Sequence, residues 1–195
     1  MALWGVDAAI SEDKPKWLPV EDGGVGAKEN CFATNDGWVL RHYKKADESE
    51  YWDEILCSVS QLAGSQTVTD KLDEATITAV YFSDPVSGAS GGTITVVYNE
   101  QVNVTNGATI AVTSDATNFN ATAAAQTGVN KVEFTIAASD VAQGDELQIA
   151  DQTISGTIKD ALDTSRNSEK VIDISEHGVG PGGEGAHAAF VVTAN

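Results

Sequence analysis

The chain has 195 residues, 42% hydrophobic and 21% charged, enough for one ordinary domain or one domain with a substantial appendage, and for a real buried core. Eleven Lys and Arg stand against 29 Asp and Glu, a formal net charge of −18, and a surface so acidic repels phosphate and excludes nucleic acid and anionic membrane as general partners. No run approaches the ~18 apolar residues of a membrane helix, and the opening MALWGVDAAISEDK lacks the basic region and apolar stretch of a secretory signal.

Residues 1–30 have too little hydrophobic periodicity to fold alone. Pro15, Pro19 and the run Glu21-Asp22-Gly23-Gly24 break any long element there. The segment reads as an extended arm carrying large apolar anchors, Leu3, Trp4, Trp17 and Leu18. Asn30–His42 reads as two short strands, Cys31–Thr34 and Trp38–His42, joined by the hairpin signal Asn35-Asp36-Gly37. Asp53–Leu62 repeats apolar residues at Ile55, Leu56, Val59 and Leu62, a spacing that fits a short helix or a strand. The segment around Leu62–Gln66 fits a linker, so the chain is expected to divide into an arm with a small anchoring region, 1–64, and a larger domain, 65–195.

All four tryptophans lie before position 53, and seven of the 11 basic residues before position 75. After that Thr, Val, Ala, Gly and Asn dominate, and the reading is β almost throughout. Strands are expected at Thr76–Phe82, Thr93–Tyr98, Thr109–Thr113, Lys131–Ile136, Glu146–Ile149, Val171–Ile174 and Ala188–Thr193. Their period-two alternation buries one face and wets the other. Turn signals such as Asp84-Pro85, Asn106-Gly107 and Gly144-Asp145 separate them. The fold class is therefore mainly β, a sandwich of about seven or eight strands behind an irregular N-terminal arm with a short hairpin.

Two resemblances add to this. Met1-Ala2-Leu3-Trp4-Gly5, Lys14-Pro15-Lys16-Trp17-Leu18-Pro19, Phe32-Ala33-Thr34 and Gly37-Trp38-Val39 resemble virion structural proteins of tailed bacteriophages, nearest to T4-like phages of marine bacteria and cyanobacteria. The similarity covers roughly residues 1–62. It implies a particle component that anchors to the major capsid protein or another virion protein through this segment. Residues 75–195 resemble bacterial Ig-like domains of surface and adhesion proteins, through Thr76–Phe82, Asp84-Pro85-Val86, Gly91–Val97 and the loop 158–167. Ser165-Arg166 stands where that family usually has Gly. This second resemblance implies a sandwich used for display or adhesion and implies no catalytic residue.

Chemistry-bearing residues are sparse. His42, His177 and His187 form no metal-spaced pair, Ser58 and Ser60 lack a nucleophile-elbow context, and Gly178–Gly185 lacks the Lys-Ser/Thr of a phosphate loop. The acids Asp145, Glu146 and Asp151, and the donors Asp160, Asp163, Ser165 and Asn167, each supply only part of a calcium shell. Cys31 and Cys57, 26 positions apart and outside any CxxC pair, read as small buried apolar residues. The Asn-x-Ser/Thr matches at Asn103 and Asn120 read as chance. No cofactor and no enzymatic activity are expected.

The expected function is thus a non-enzymatic virion structural protein, a capsid decoration protein first and a neck or tail component second. A host glycan or receptor module is the third reading, for which only Phe119 and His177 stand on expected loops. Leu3, Trp4, Trp17, Leu18 and Trp38 are the expected partner-binding residues, because Trp buries much area at the centre of interfaces. A homo-oligomer or a multi-copy array on the particle is expected, and the acidic surface suits many copies, since net charge suppresses unwanted self-association.

Overall fold

The structure is a computed structural model, and it describes residues 28–44, 49–64, 72, 74–177 and 191–195. The chain is mainly β. Among the described residues, three strands precede residue 65: β1 (Cys31–Thr34), β2 (Gly37–Tyr43) and β3 (Tyr51–Ser58). Ten follow: β4 (Ile77–Ser87), β5 (Gly91–Val104), β6 (Ala108–Ser114), β7 (Phe119–Ala123), β8 (Gln126–Ile136), β9 (Glu146–Gln148), β10 (Gln152–Thr153), β11 (Ile158–Asp160), β12 (Val171–Ile172) and β13 (Val191–Thr193). One helical turn, α1 (Ile174–His177), follows β12. The expected hairpin is present, and the segment open between helix and strand, 53–62, is strand as far as Ser58 and turn beyond it. Seven or eight strands were expected after residue 65; β7, β10 and β11 are additional, the latter two being only two and three residues long.

The sandwich has one continuous core. Ile94, Val96 and Tyr98 of β5 and Val132, Phe134 and Ile136 of β8 pack with Ile110 and Val112 of β6, Ala121 and Ala123 of β7, and Leu147 of β9. β7 joins β8 through a single antiparallel ladder pair, Thr122 opposite Thr135. In β8, buried Val132, Phe134 and Ile136 alternate with exposed Glu133 and Thr135, as period two requires. In β4 the expected alternation breaks. A register shift between Ile77 and Ala79 changes which face follows, so Ile77 and Val80 are both buried while Ala79 and Tyr81 are only partly so. The seam near the C-terminus is closed by Glu169. Its carboxylate accepts from the Ile77 N–H at 2.8 Å, and its carbonyl accepts from the Tyr98 hydroxyl at 2.9 Å.

A second, smaller core belongs to the first three strands. Cys31, Ala33, Trp38, Leu40, Leu62, Ala63 and Leu72 are buried together, with Leu56, Cys57 and Val59 packed against them. Leu62 and Ala63, at the start of the segment read as a linker, are therefore core side chains. The chain after β3 folds back over the β1–β2 turn: the N–H groups of Val59, Gln61 and Ala63 donate to the carbonyls of Asp36, Asn35 and Thr34. Gly37 makes this closure feasible. Its φ is +124°, and a Cβ there would collide with the Cys57 carbonyl oxygen.

The small sheet hangs from a bulge. Between Val97 and Val102, β5 gains residues relative to β8, and Glu100 in that bulge pairs with Ala33 of β1, parallel. Glu29, just ahead of β1, fastens the joint. Its carboxylate accepts from the Tyr81 hydroxyl of β4 at 2.6 Å and lies 3.6 Å from Lys131 Nζ of β8, while its carbonyl accepts from Asn130 Nδ2 at 2.9 Å.

Candidate interaction surface

β1, β2 and β3 run in that order outward from β5, each antiparallel to the next, so β3 is an edge strand of the sheet among the described residues. Every residue of its first five positions is exposed. Strand parity sends Tyr51, Asp53 and Ile55 to one face and Trp52 and Glu54 to the other. The cross-strand pairs agree: Tyr51 lies opposite Tyr43, Asp53 opposite Arg41 and Ile55 opposite Val39, while Trp52 lies opposite His42 and Glu54 opposite Leu40.

The side chains of β2 and β3 hold one another in place. Arg41 reaches Asp53 through two hydrogen bonds, Nε at 2.8 Å and Nη2 at 2.9 Å. Its guanidinium carbon lies 3.8 Å from the centre of the Tyr51 ring and 4.8 Å from that of Phe32, so the cation is held between two aromatic faces. Burial works against the Arg41 charge. The hydrogen bond and negative charge of Asp53 outweigh it, with Tyr51 and Tyr43 adding, and the guanidinium is held above its ordinary value. On the opposite face the His42 ring stacks on Trp52 at 4.1 Å and 12°, and its Nε2 lies 2.8 Å from Glu54. Tyr43 meets Tyr51 edge to face at 6.4 Å, and the Lys44 N–H donates to the Glu50 carbonyl to close the hairpin.

These contacts leave Tyr51 and Trp52 about half exposed, while Phe32 is wholly buried. Tyr51, Trp52 and Ile55 are 52%, 49% and 56% exposed, and the only other large apolar side chains so exposed among the described residues are Leu162 and Val171 in the sandwich. Three of the five thus share one five-residue stretch of a single edge strand, divided between its two faces. Sequence periodicity passed over Tyr51 and Trp52. The signal that could have found them is the charge register: Arg41-His42 on one strand and Asp53-Glu54 on the other complement each other only in the antiparallel pairing that puts Trp52 and Tyr51 at the outer edge.

Leu3, Trp4, Trp17 and Leu18 lie outside the described residues, as do the rest of 1–27, Gly178–Gly185 and His187. Trp38, the remaining expected anchor, has no exposed surface and fills the small core, so its area is already buried in its own chain. Its indole Nε1 has no hydrogen-bond partner among the described residues. Cys31 is buried in that core and Cys57 half-buried beside it, both as thiols.

Four of the acids weighed as calcium donors, Asp145, Asp151, Asp160 and Asp163, accept hydrogen bonds within the chain. Asp160 Oδ1 accepts from the N–H groups of Leu162 and Asp163. Asp163 accepts from the Ser165 N–H and hydroxyl and pairs with Arg166 at 3.1 Å. Asp145 accepts from the Ala142 N–H and Asp151 from the Ile174 N–H. The bonds of Asp145, Asp160 and Asp163 are the local side-chain bonds by which Asp closes turns, whereas that of Asp151 ties two segments 23 residues apart. His177 is buried, with Nδ1 accepting from the Asp173 N–H at 3.0 Å, and Phe119 packs partly buried against the main core.

No family model matches the chain, and neither a curated protein nor a solved structure matches it.

Proposed function

We propose that the chain is a non-enzymatic structural protein of a tailed-phage virion, a capsid decoration protein fastened to the shell through its N-terminal part and carrying an Ig-like sandwich outward. The observation that supports this reading best is the division of exposed apolar surface between the two parts. The sandwich turns nearly all its large apolar side chains inward, while the small N-terminal sheet presents Tyr51, Trp52 and Ile55 together on its outermost strand. Attachment therefore belongs to the N-terminal part, the same part whose motifs resemble phage virion proteins.

The joint at Glu29 adds to the reading. A cargo domain held by a bulge, an ion pair and two hydrogen bonds follows its anchor as a body rather than trailing on a tether. The net charge of −18 opposes contact between neighbouring copies on a crowded surface.

Quantitative mass spectrometry of purified particles tests the proposal. Hundreds of copies per particle are expected. A ring-sized count of about six or twelve would make the chain a neck or tail component instead, and absence from particles would overturn the virion role.

A further inference from the structure

We infer that the outer edge of β3, beyond which no described strand lies, is a docking site for one extended strand of a different protein, a strand that carries two adjacent basic residues between apolar ones. The mode of binding follows from the geometry. Tyr51 and Ile55 project from one face of the sheet and Trp52 from the other. A partner lying flat on either face covers one set and leaves the other wet. Only a strand that continues the sheet past β3 flanks both sets at once, and it also satisfies the outward backbone groups of an eight-residue edge.

The chemistry of the occupant follows from the existing neighbour. β2 already solves the same recognition problem on the inner side of β3. It sets Val39 against Ile55, Leu40 against Glu54, Arg41 against Asp53, His42 against Trp52 and Tyr43 against Tyr51, and Glu54 takes its polar partner diagonally from His42. An antiparallel strand on the outer side meets the same residues in the same order. It therefore needs an apolar residue at Ile55, cations at Glu54 and Asp53, and apolar or aromatic residues at Trp52 and Tyr51. Asp53 and Glu54 keep side-chain exposures of 33% and 50% after their contacts with Arg41 and His42, so both carboxylates can accept a further donor. Charge also argues against a second copy of this chain, which brings another −18 to the edge and offers acids where cations are wanted.

This deepens the attachment reading by naming its mode and partner chemistry, and its test uses no particle, so each can fail without the other. The full chain is titrated with the peptide Thr-Val-Lys-Lys-Val-Tyr-Thr and, separately, with its Glu-Glu counterpart, and amide exchange is followed residue by residue. The β3 amides that exchange fast in the free protein are expected to slow at least tenfold with the Lys-Lys peptide, which binds at least tenfold more tightly than the Glu-Glu peptide. Trp52→Thr combined with Ile55→Thr is expected to weaken that binding tenfold or more while β1–β2 amide protection stays unchanged. Equal binding of both peptides, or protection elsewhere than β3, overturns the inference. So does slow exchange of all β3 amides in the free monomer, which means the chain covers its own edge. Protection that rises with protein concentration alongside a sedimenting dimer also overturns it, in favour of a second copy.

Discussion

Trp38 offers a direct test of whether the two cores are separate units. Its side chain is wholly buried among Cys31, Ala33, Leu40, Leu62, Ala63 and Leu72, and no residue of the large core shares that cluster. Truncating a buried aromatic to Ala costs about 3–5 kcal/mol. At about 0.05–0.15 kcal/mol per residue, a unit of some 45 residues holds only about 2–7 kcal/mol in total. Trp38→Ala therefore consumes most of the stability of the small sheet and none that the sandwich keeps in its own core. Native-state hydrogen exchange reads the outcome. The β2 and β3 amides of the variant are expected to lose several hundredfold or more of their protection, while those of β8 around Phe134 stay within about threefold of wild type. Loss of equal size in β3 and β8 would refute the reasoning, because it would mean that the joint makes one cooperative unit of both cores. Unchanged protection everywhere would refute the packing itself.

Other substitutions probe the remaining supports. Burial first, and the nearby Glu169 charge second, push the Tyr98 hydroxyl far above its ordinary value. Below pH ~10 both folded and unfolded chains keep that proton, and above it only the unfolded chain ionises, so the tyrosine's contribution to stability falls by about 1.4 kcal/mol per pH unit. Urea unfolding of wild type and Tyr98→Phe should give a stability difference that declines from pH 9.5 upward, as the unfolded chain's ordinary value near 10 is passed; a difference independent of pH would remove the argument. Gly37→Ala places a Cβ against the Cys57 carbonyl at a φ of +124°, and a loss of about 2 kcal/mol or more from the small sheet is expected in a thermal melt. Glu29→Ala deletes the Tyr81 and Lys131 contacts and is expected to cost about 1.5–3 kcal/mol at the joint. Faster β1 amide exchange and easier proteolysis there would follow, whereas Glu29→Gln, which keeps an acceptor for Tyr81, should recover about half the loss.

The β character of this chain was legible in its amino-acid order, because period-two alternation and turn residues are local properties of the backbone. The β1–β2 hairpin and strands such as β8 follow from that alone: Asn35-Asp36-Gly37 can hardly do other than turn, and Val132, Phe134 and Ile136 can share a face only in an extended chain. The tertiary structure decided the rest. Periodicity cannot see a bulge, so the exchange of faces in β4 and the gap in β5 that receives β1 appear only when partner strands are present to define register. Nor does a tryptophan's size say which surface it covers. Trp38 is interior because the chain after β3 folds back to enclose it, and Trp52 is open because nothing among the described strands lies beyond β3. Which side chains are spent on the protein's own core is a property of long-range packing, and composition carries no record of it.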